Sequence, residues 1–180
     1  LERFICFLRY CCMQTLLPIF IFFSSWMLQS SCTSPVNEQA NLSIPQTDTT
    51  LKKLVLTDTQ WRERLSAEAY YVLRKKGTER SFTSSFHNSK RKGNYHCAGC
   101  DQLLFRSSEK YDSGTGWPSF FQPAFSNSVS EAEDRSYGSI ETEVLCAKCD
   151  GHLGHVFKDG PRPTGLRYCI NGVALVFKEN

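Results

Sequence analysis

Two like pairs of cysteines constrain this chain more than any other feature: Cys97-Ala98-Gly99-Cys100 and Cys146-Ala147-Lys148-Cys149. Each C-x-x-C can wrap one edge of a tetrahedral metal, and two pairs complete a four-thiolate shell. Gly99 and Gly151 offer the tight backbone that such turns need. A closed shell leaves no coordination position for chemistry, so the reading is a structural clip with Zn2+ as the default metal. Two disulfides, or a redox pair, are the other uses of these residues. The redox pair fits less well, because neither motif opens a helix inside a βαβ pattern. A clip of this kind ties folding to metal binding and joins segments far apart in sequence.

The cysteine count matters because it leaves a remainder. Of nine cysteines, Cys6, Cys11, Cys12 and Cys32 belong to the N-terminal segment and four to the clip, so Cys169 stands alone. Residues 1–31 read as targeting: Arg3 and Arg9 precede the apolar run Leu16 to Leu28, and small residues follow. The run is short for a spanning helix. The expectation is an exported or membrane-associated protein, with lipid attachment at Cys32 or a retained anchor as variants. A cytoplasmic or organellar protein with a misread N-terminus is the alternative. Residues 32–56, rich in Ser, Thr, Pro, Asn and Gln, read as a flexible linker, and 57–180 as the folded domain. The net charge of +3 is too small to argue for nucleic acid, and the expected state is a monomer.

Within the domain, Trp61, Leu65, Ala69 and Val72 recur at helical spacing. Asp58 and Ser66 are the expected caps of two short helices, the second ending near Lys76-Gly77. The basic run Arg74-Lys75-Lys76 reads as a solvated last turn. Strands are expected at 94–98, 103–106, 139–145, 156–158, 166–171 and 173–178. In the third, Ile140, Thr142 and Val144 alternate with Glu141 and Glu143, which predicts one solvated face. Helices only at the front, then short strands with many turns, predict a mainly β (α+β), largely antiparallel domain.

In the strand around Arg167-Tyr168-Cys169-Ile170-Asn171, residues two apart share a face. Arg167, Cys169 and Asn171 then form one row, with Tyr168 and Ile170 turned into the core. A thiol beside a guanidinium is a candidate nucleophile; a small buried hydrophobe is the plainer reading. His152 and His155, three apart and held by Gly151 and Gly154, are candidate acid–base groups. Asp112-Ser113-Gly114-Thr115-Gly116-Trp117-Pro118-Ser119-Phe120 looks like a tight loop that presents Trp117.

Together these motifs closely resemble methionine sulfoxide reductase B, the family specific for the R epimer at sulfur. Residues 77–80, both cysteine pairs, 113–120, 152–157, 159–165 and 167–171 carry the likeness, in the family's order over about 55–178. The resemblance implies two twisted antiparallel sheets, short helices packed on them, and a structural Zn2+ held by Cys97, Cys100, Cys146 and Cys149. It implies Cys169 as the nucleophile that becomes a sulfenic acid, and His152 or His155 as proton donor. Asn171 would orient these groups, Trp117 would wall the substrate methyl, and Arg167 would favour the thiolate. The substrate would be methionine-R-sulfoxide in peptides or proteins.

One position departs from many relatives. The Gly-x-Gly-Trp-Pro loop often carries a resolving cysteine, and here the residue is Thr115. With four cysteines on the metal, the domain has no second thiol, and only Cys32 on the linker is near in sequence. The expectation is a one-cysteine cycle that depends on an external thiol reductant, thioredoxin-like or glutaredoxin-like. A non-catalytic zinc ribbon that binds protein or nucleic acid also explains the clip, but it leaves Cys169, the histidines and Trp117 unconnected. A disulfide-stabilised exported binding domain is a further rival.

Overall fold

The computed structural model describes residues 51–136 and 138–180. The expected targeting segment, Cys32 and most of the expected linker lie outside these residues. Among the described residues no helix is long and apolar enough to cross a membrane.

Two short helices begin the domain, α1 (Asp58–Arg64) and α2 (Ala67–Lys75). The first is capped by Thr57, one residue before the expected Asp58, because a capping box closes there. Thr57 Oγ1 accepts from Gln60 N, and Gln60 Oε1 accepts from Thr57 N. Ser66 caps α2 as expected, accepting from Ala69 N. Trp61, Ala69, Val72 and Leu73 are buried, so both helices turn their apolar stripe inward. Residues 52–56 also reach the domain: Leu54 N donates to Lys148 O (2.8 Å), and Leu54 and Leu56 pack on the core.

Among the described residues, nine strands form two antiparallel sheets. The small sheet orders β2 (Leu103–Arg106), β1 (Gly93–Cys97) and β9 (Leu175–Glu179). The large one orders β3 (Lys110–Tyr111), β4 (Ser119–Phe120), β8 (Arg167–Ile170), β7 (His152–Phe157), β6 (Glu141–Cys146) and β5 (Val129–Asp134). The core between them is aromatic. Phe105 of the small sheet stacks on Phe120 of the large one with centroids 4.3 Å apart, and Tyr95 meets Phe120 edge-on at 5.1 Å. Such contacts add about 0.5–1.5 kcal/mol each beyond burial. Tyr168 and Ile170 are buried here, as strand parity requires, which turns Cys169 to the opposite face.

The strand at 156–158 extends back to His152, so both histidines sit on β7 rather than in a turn. The last strand starts at Leu175, after a single 3-10 turn over Gly172–Ala174. β3, β4 and β5 were not expected. The first two are two residues long, and the edge strand β5 is acidic, with a polar pattern that gives little periodicity to read.

Two readings of charge fail. Glu143 is 1 % exposed, not solvated, and Ile140, which shares the expected apolar parity with Thr142 and Val144, is 66 % exposed. The buried carboxylate is compensated by Lys76 Nζ at 2.7 Å and His152 Nδ1 at 2.7 Å. The basic run of α2 is therefore not a merely solvated turn: Lys76 reaches Glu143, and Arg74 Nη1 donates to Cys149 O (3.0 Å).

Candidate active site and metal clip

The two cysteine pairs sit on matching knuckles, one between β1 and β2, the other between β6 and β7. In each, the N–H four residues on returns to the first cysteine's carbonyl: Asp101 N to Cys97 O and Asp150 N to Cys146 O, both 2.9 Å. The left-handed residues that allow this are Asp101 (φ 62°) and Asp150 (φ 55°), not Gly99 or Gly151. Aspartate tolerates that conformation better than most side chains. Gly151 serves packing instead: a Cβ there would stand 2.9 Å from Leu73 and 3.4 Å from Cys149 Sγ. The knuckle carbonyls are held by cations, Arg64 on Gly99 O, Arg74 on Cys149 O and Lys148 on Cys100 O.

The four sulfurs lie within 4.8 Å of one another, with Cys97 to Cys149 at 3.7 Å and Cys100 to Cys146 at 3.4 Å. These spacings are too long for disulfides. They suit a tetrahedron with metal–sulfur bonds of about 2.3 Å, whose edges are about 3.8 Å. All four residues are buried, and four thiols at this spacing form a ready metal site.

Cys169 lies elsewhere, on β8 in the middle of the large sheet. Its register partners are Ser119 on β4 and His155 on β7. A cavity of about 240 Å³ opens over this row. Thr78, Trp117, Glu141, Gly154, His155, Phe157, Cys169 and Asn171 line it. The close approach of β7 to β8 depends on Gly154, where φ is +155° and a Cβ would fall 2.1 Å from Cys169 O. The loop before β4 turns through Gly114 (φ 73°) and Gly116 (φ 90°) and brings Trp117 to the wall.

The candidate side chains divide between the cavity and its support. His155 lines the cavity and places Nε2 3.0 Å from Asp134 Oδ2, with Glu141 Oε2 at 3.8 Å. The imidazole and the Ser136 contacts hold the Asp134 carboxyl well below the usual carboxylate range, Ser136 contributing most. His152 is 2 % exposed and stands behind His155, with ring centroids 5.4 Å apart. Burial pushes its pKa down, against the pull of Glu143, so the ring is neutral at pH 7. Its Nδ1–H donates to Glu143, which leaves Nε2 as the lone-pair nitrogen.

Asn171 lines the cavity, and its amide is bonded to main-chain atoms. Its Oδ1 accepts from Glu79 N (2.9 Å), and its Nδ2 donates to Leu153 O (3.0 Å). Arg167 forks onto Asp159 through Nε (2.9 Å) and Nη2 (2.8 Å) and lies 4.4 Å over the Phe157 ring. It thus braces a cavity wall instead of lining it.

Arg167 does favour ionisation of Cys169, and so does the Thr115 hydroxyl, 3.9 Å from Sγ. Burial outweighs both and raises the Cys169 pKa above its ordinary 9.0. Arg167 thus acts in the expected direction, while burial of the sulfur acts against it.

Glu79, within the segment 77–80, ties the site together. Its carboxylate accepts from Gly172 N (2.7 Å) and Val173 N (2.9 Å), and its carbonyl accepts from Trp117 Nε1 (3.2 Å). With the bond to Asn171, one residue fixes two cavity walls and the turn that follows β8. Sequence periodicity carries no trace of such contacts, since their partners are 38 or more positions away.

Comparison with known proteins gives the same partition of residues a family. The SelR domain matches residues 65–179. Peptide methionine sulfoxide reductase MsrB of Agrobacterium fabrum is 53 % identical over 131 residues, 73 % of this chain and 97 % of the relative. The protein of that name from Bradyrhizobium diazoefficiens is 58 % identical over 130 residues, 72 % and 94 % of the two chains. The one from Pseudomonas putida is 56 % identical over 128 residues, 71 % and 96 %. Clip, cavity and the β8 cysteine all fall within the matched span, and the chain belongs to the SelR-domain family of MsrB peptide methionine sulfoxide reductases.

Proposed function

We propose that this chain reduces methionine-R-sulfoxide in peptides or proteins to methionine, with Cys169 as the nucleophile. The observation that carries the reading is the convergence of Cys169, His155 and Trp117 on one small cavity. Trp117 and Phe157 offer aromatic faces to the substrate's methyl and thioether carbons. The Cys169 sulfur attacks the sulfoxide sulfur. The oxygen departs from the substrate, and His155, whose ring is held against Asp134, supplies or relays the proton it needs. His152 supports that ring from behind.

The step balances as sulfoxide plus thiol giving thioether plus sulfenic acid, with the sulfoxide sulfur reduced by two electrons and Cys169 oxidised by two. Because the resting group is a thiol, its proton is lost as the attack proceeds and is available to the departing oxygen. Regeneration takes two reducing equivalents and releases water. Position 115 faces the Cys169 sulfur but offers a hydroxyl, which cannot close a disulfide. An external thiol, thioredoxin-like or glutaredoxin-like, then attacks the sulfenic acid directly.

Cys97, Cys100, Cys146 and Cys149 would hold Zn2+, which supplies cross-linking of the two sheets and no catalytic step. We further propose residues 1–31 as a targeting segment of an exported protein and 57–180 as a monomeric catalytic domain.

The test is thiol-dependent reduction of the R and S epimers of a methionine sulfoxide peptide by the full chain. Turnover of the R epimer that disappears in Cys169→Ser is the expected result. Undiminished turnover in that variant would overturn the assignment.

A further inference from the structure

The cavity's nucleophile ends a row of hydroxyls that the proposed chemistry leaves unused. From Cys169 Sγ the row runs 3.9 Å to Thr115 Oγ1, 2.8 Å to Ser113 Oγ, 2.7 Å to Ser119 Oγ and 3.2 Å to Trp117 O. Ser119 is 0 % exposed and is the register partner of Cys169 on β4. The loop holds the row in place: Gly114 N donates to Asp112 Oδ1 (2.9 Å) and Thr115 N to Ser113 Oγ (3.4 Å).

We propose that Thr115, Ser113 and Ser119 form a reversible hydroxyl chain that accepts a hydrogen bond from the Cys169 thiol and donates one to its thiolate. The inference rests on the reading of Cys169 as the nucleophile. Thr115 is then a catalytic residue, since it touches the reacting sulfur, and Ser113 and Ser119 are positioning residues that act through it.

The argument is a count of protons. Each hydroxyl has one proton and two lone pairs. The far end of the row, the Trp117 carbonyl, only accepts. With Cys169 protonated, S–H donates to Thr115, Thr115 to Ser113, Ser113 to Ser119, and Ser119 to Trp117 O. Every proton in the row is used. With Cys169 ionised, the three hydroxyls rotate: Ser119 donates to Ser113, Ser113 to Thr115, and Thr115 to the sulfur anion. The reversal gives up two bonds, the weak S–H···O bond and the one to the carbonyl, and gains a charge-assisted one. No heavy atom moves. The thiol proton does not enter the row; it leaves through the cavity, where the sulfoxide oxygen accepts it. Successive hydroxyls polarise one another, so the outer serines reinforce the Thr115 donor.

Other groups bear on the same sulfur. Arg167 is on its own strand, Asp159 is paired to Arg167, Tyr111 comes from β3, His155 from β7 and Glu141 from β6. None of them can exchange a donor for an acceptor by rotation alone except the Tyr111 hydroxyl, and Tyr111 Oη has no hydrogen-bond partner among the described residues. The row of Thr115, Ser113 and Ser119 is the group built to serve both states.

The test is the pH dependence of Cys169 alkylation by iodoacetamide in the full-length protein, read at the Cys169 peptide by mass spectrometry. Thr115→Val is expected to slow alkylation at pH 7 by about tenfold and raise the midpoint by about one pH unit, the worth of one charged hydrogen bond. Ser113→Ala, at a partly buried site, is expected to slow it by about threefold through loss of cooperative polarisation. Thr115→Ser is expected to restore the wild-type profile. A Ser113→Ala profile superimposing on wild type would overturn the chain, and so would a Thr115→Val profile unchanged in midpoint. Sulfoxide turnover in Cys169→Ser is measured beside these. Retained turnover there sinks the nucleophile reading, whereas altered alkylation profiles without retained turnover support both.

Discussion

The five described cysteines occupy two environments that have little in common. Four crowd together at 3.4–4.8 Å on the knuckles, where Arg64 holds the Gly99 carbonyl, Arg74 that of Cys149 and Lys148 that of Cys100. The fifth stands on a mid-sheet strand among hydroxyls, a guanidinium and an imidazole. Neighbours, not the thiol, decide the difference. Sulfur next to sulfur makes a ligand set, and sulfur held among hydroxyls under a small cavity makes a reagent. The two regions are joined by the last turn of α2, where Arg74 serves the clip and Lys76 serves the carboxylate behind His152.

Removing one clip thiol is the severest way to test this division. Cys146→Ser should lose metal and fold together, since structural four-thiolate sites contribute on the order of 10 kcal/mol. Metal analysis and loss of the cooperative near-UV transition would report it; a folded, metal-free variant would break the division. Cys169→Ser should do the reverse. Turnover is expected to fall by about a thousandfold or more, with the melting temperature shifted by no more than about 2 °C. Next in size is Glu79→Ala, which removes both carboxylate bonds to the turn after β8. A loss of about tenfold in kcat/KM is expected, together with a shift in Trp117 fluorescence and little loss of bound metal.

Lys76→Met probes the join. It leaves Glu143 buried against His152, at a cost of about 1–2 kcal/mol, less than for a fully buried pair because Lys76 is exposed. A variant as stable as wild type would mean that the two regions are uncoupled at α2. The mildest probe is pH alone. Because burial raises the Cys169 pKa, its thiolate fraction is small at pH 7, and alkylation should still be climbing as pH passes 9.0. A plateau below pH 8 would show that Arg167 and Thr115 outweigh burial after all.

The architecture was legible where the pattern was local. Ser66 capping α2, the strand at Leu103–Arg106, and the parity that buries Tyr168 and Ile170 while turning Cys169 away all follow from spacing a few residues long. The clip ligands were legible because thiolate coordination imposes its own spacing. Long-range compensation was not. Glu143 reads as the solvated partner of an alternating strand until Lys76 and His152 arrive from 67 and 9 positions away. Asn171 lines the cavity, but its bonds run to main-chain atoms of Glu79 and Leu153, contacts that composition cannot signal. Glu79 itself acts mostly through backbone partners, so nothing in its residue type marks it out.

Gly154 carries a consequence in the currency of heredity. The spacing between His155 and Cys169 is set by its missing side chain, where a Cβ would stand 2.1 Å from the Cys169 carbonyl. Every missense change in a glycine codon adds at least that one carbon. The codon for residue 154 therefore has no conservative neighbour, and a change there should disable the protein without touching His155 or Cys169. His155 and Cys169 would remain in the gene, intact and no longer in register.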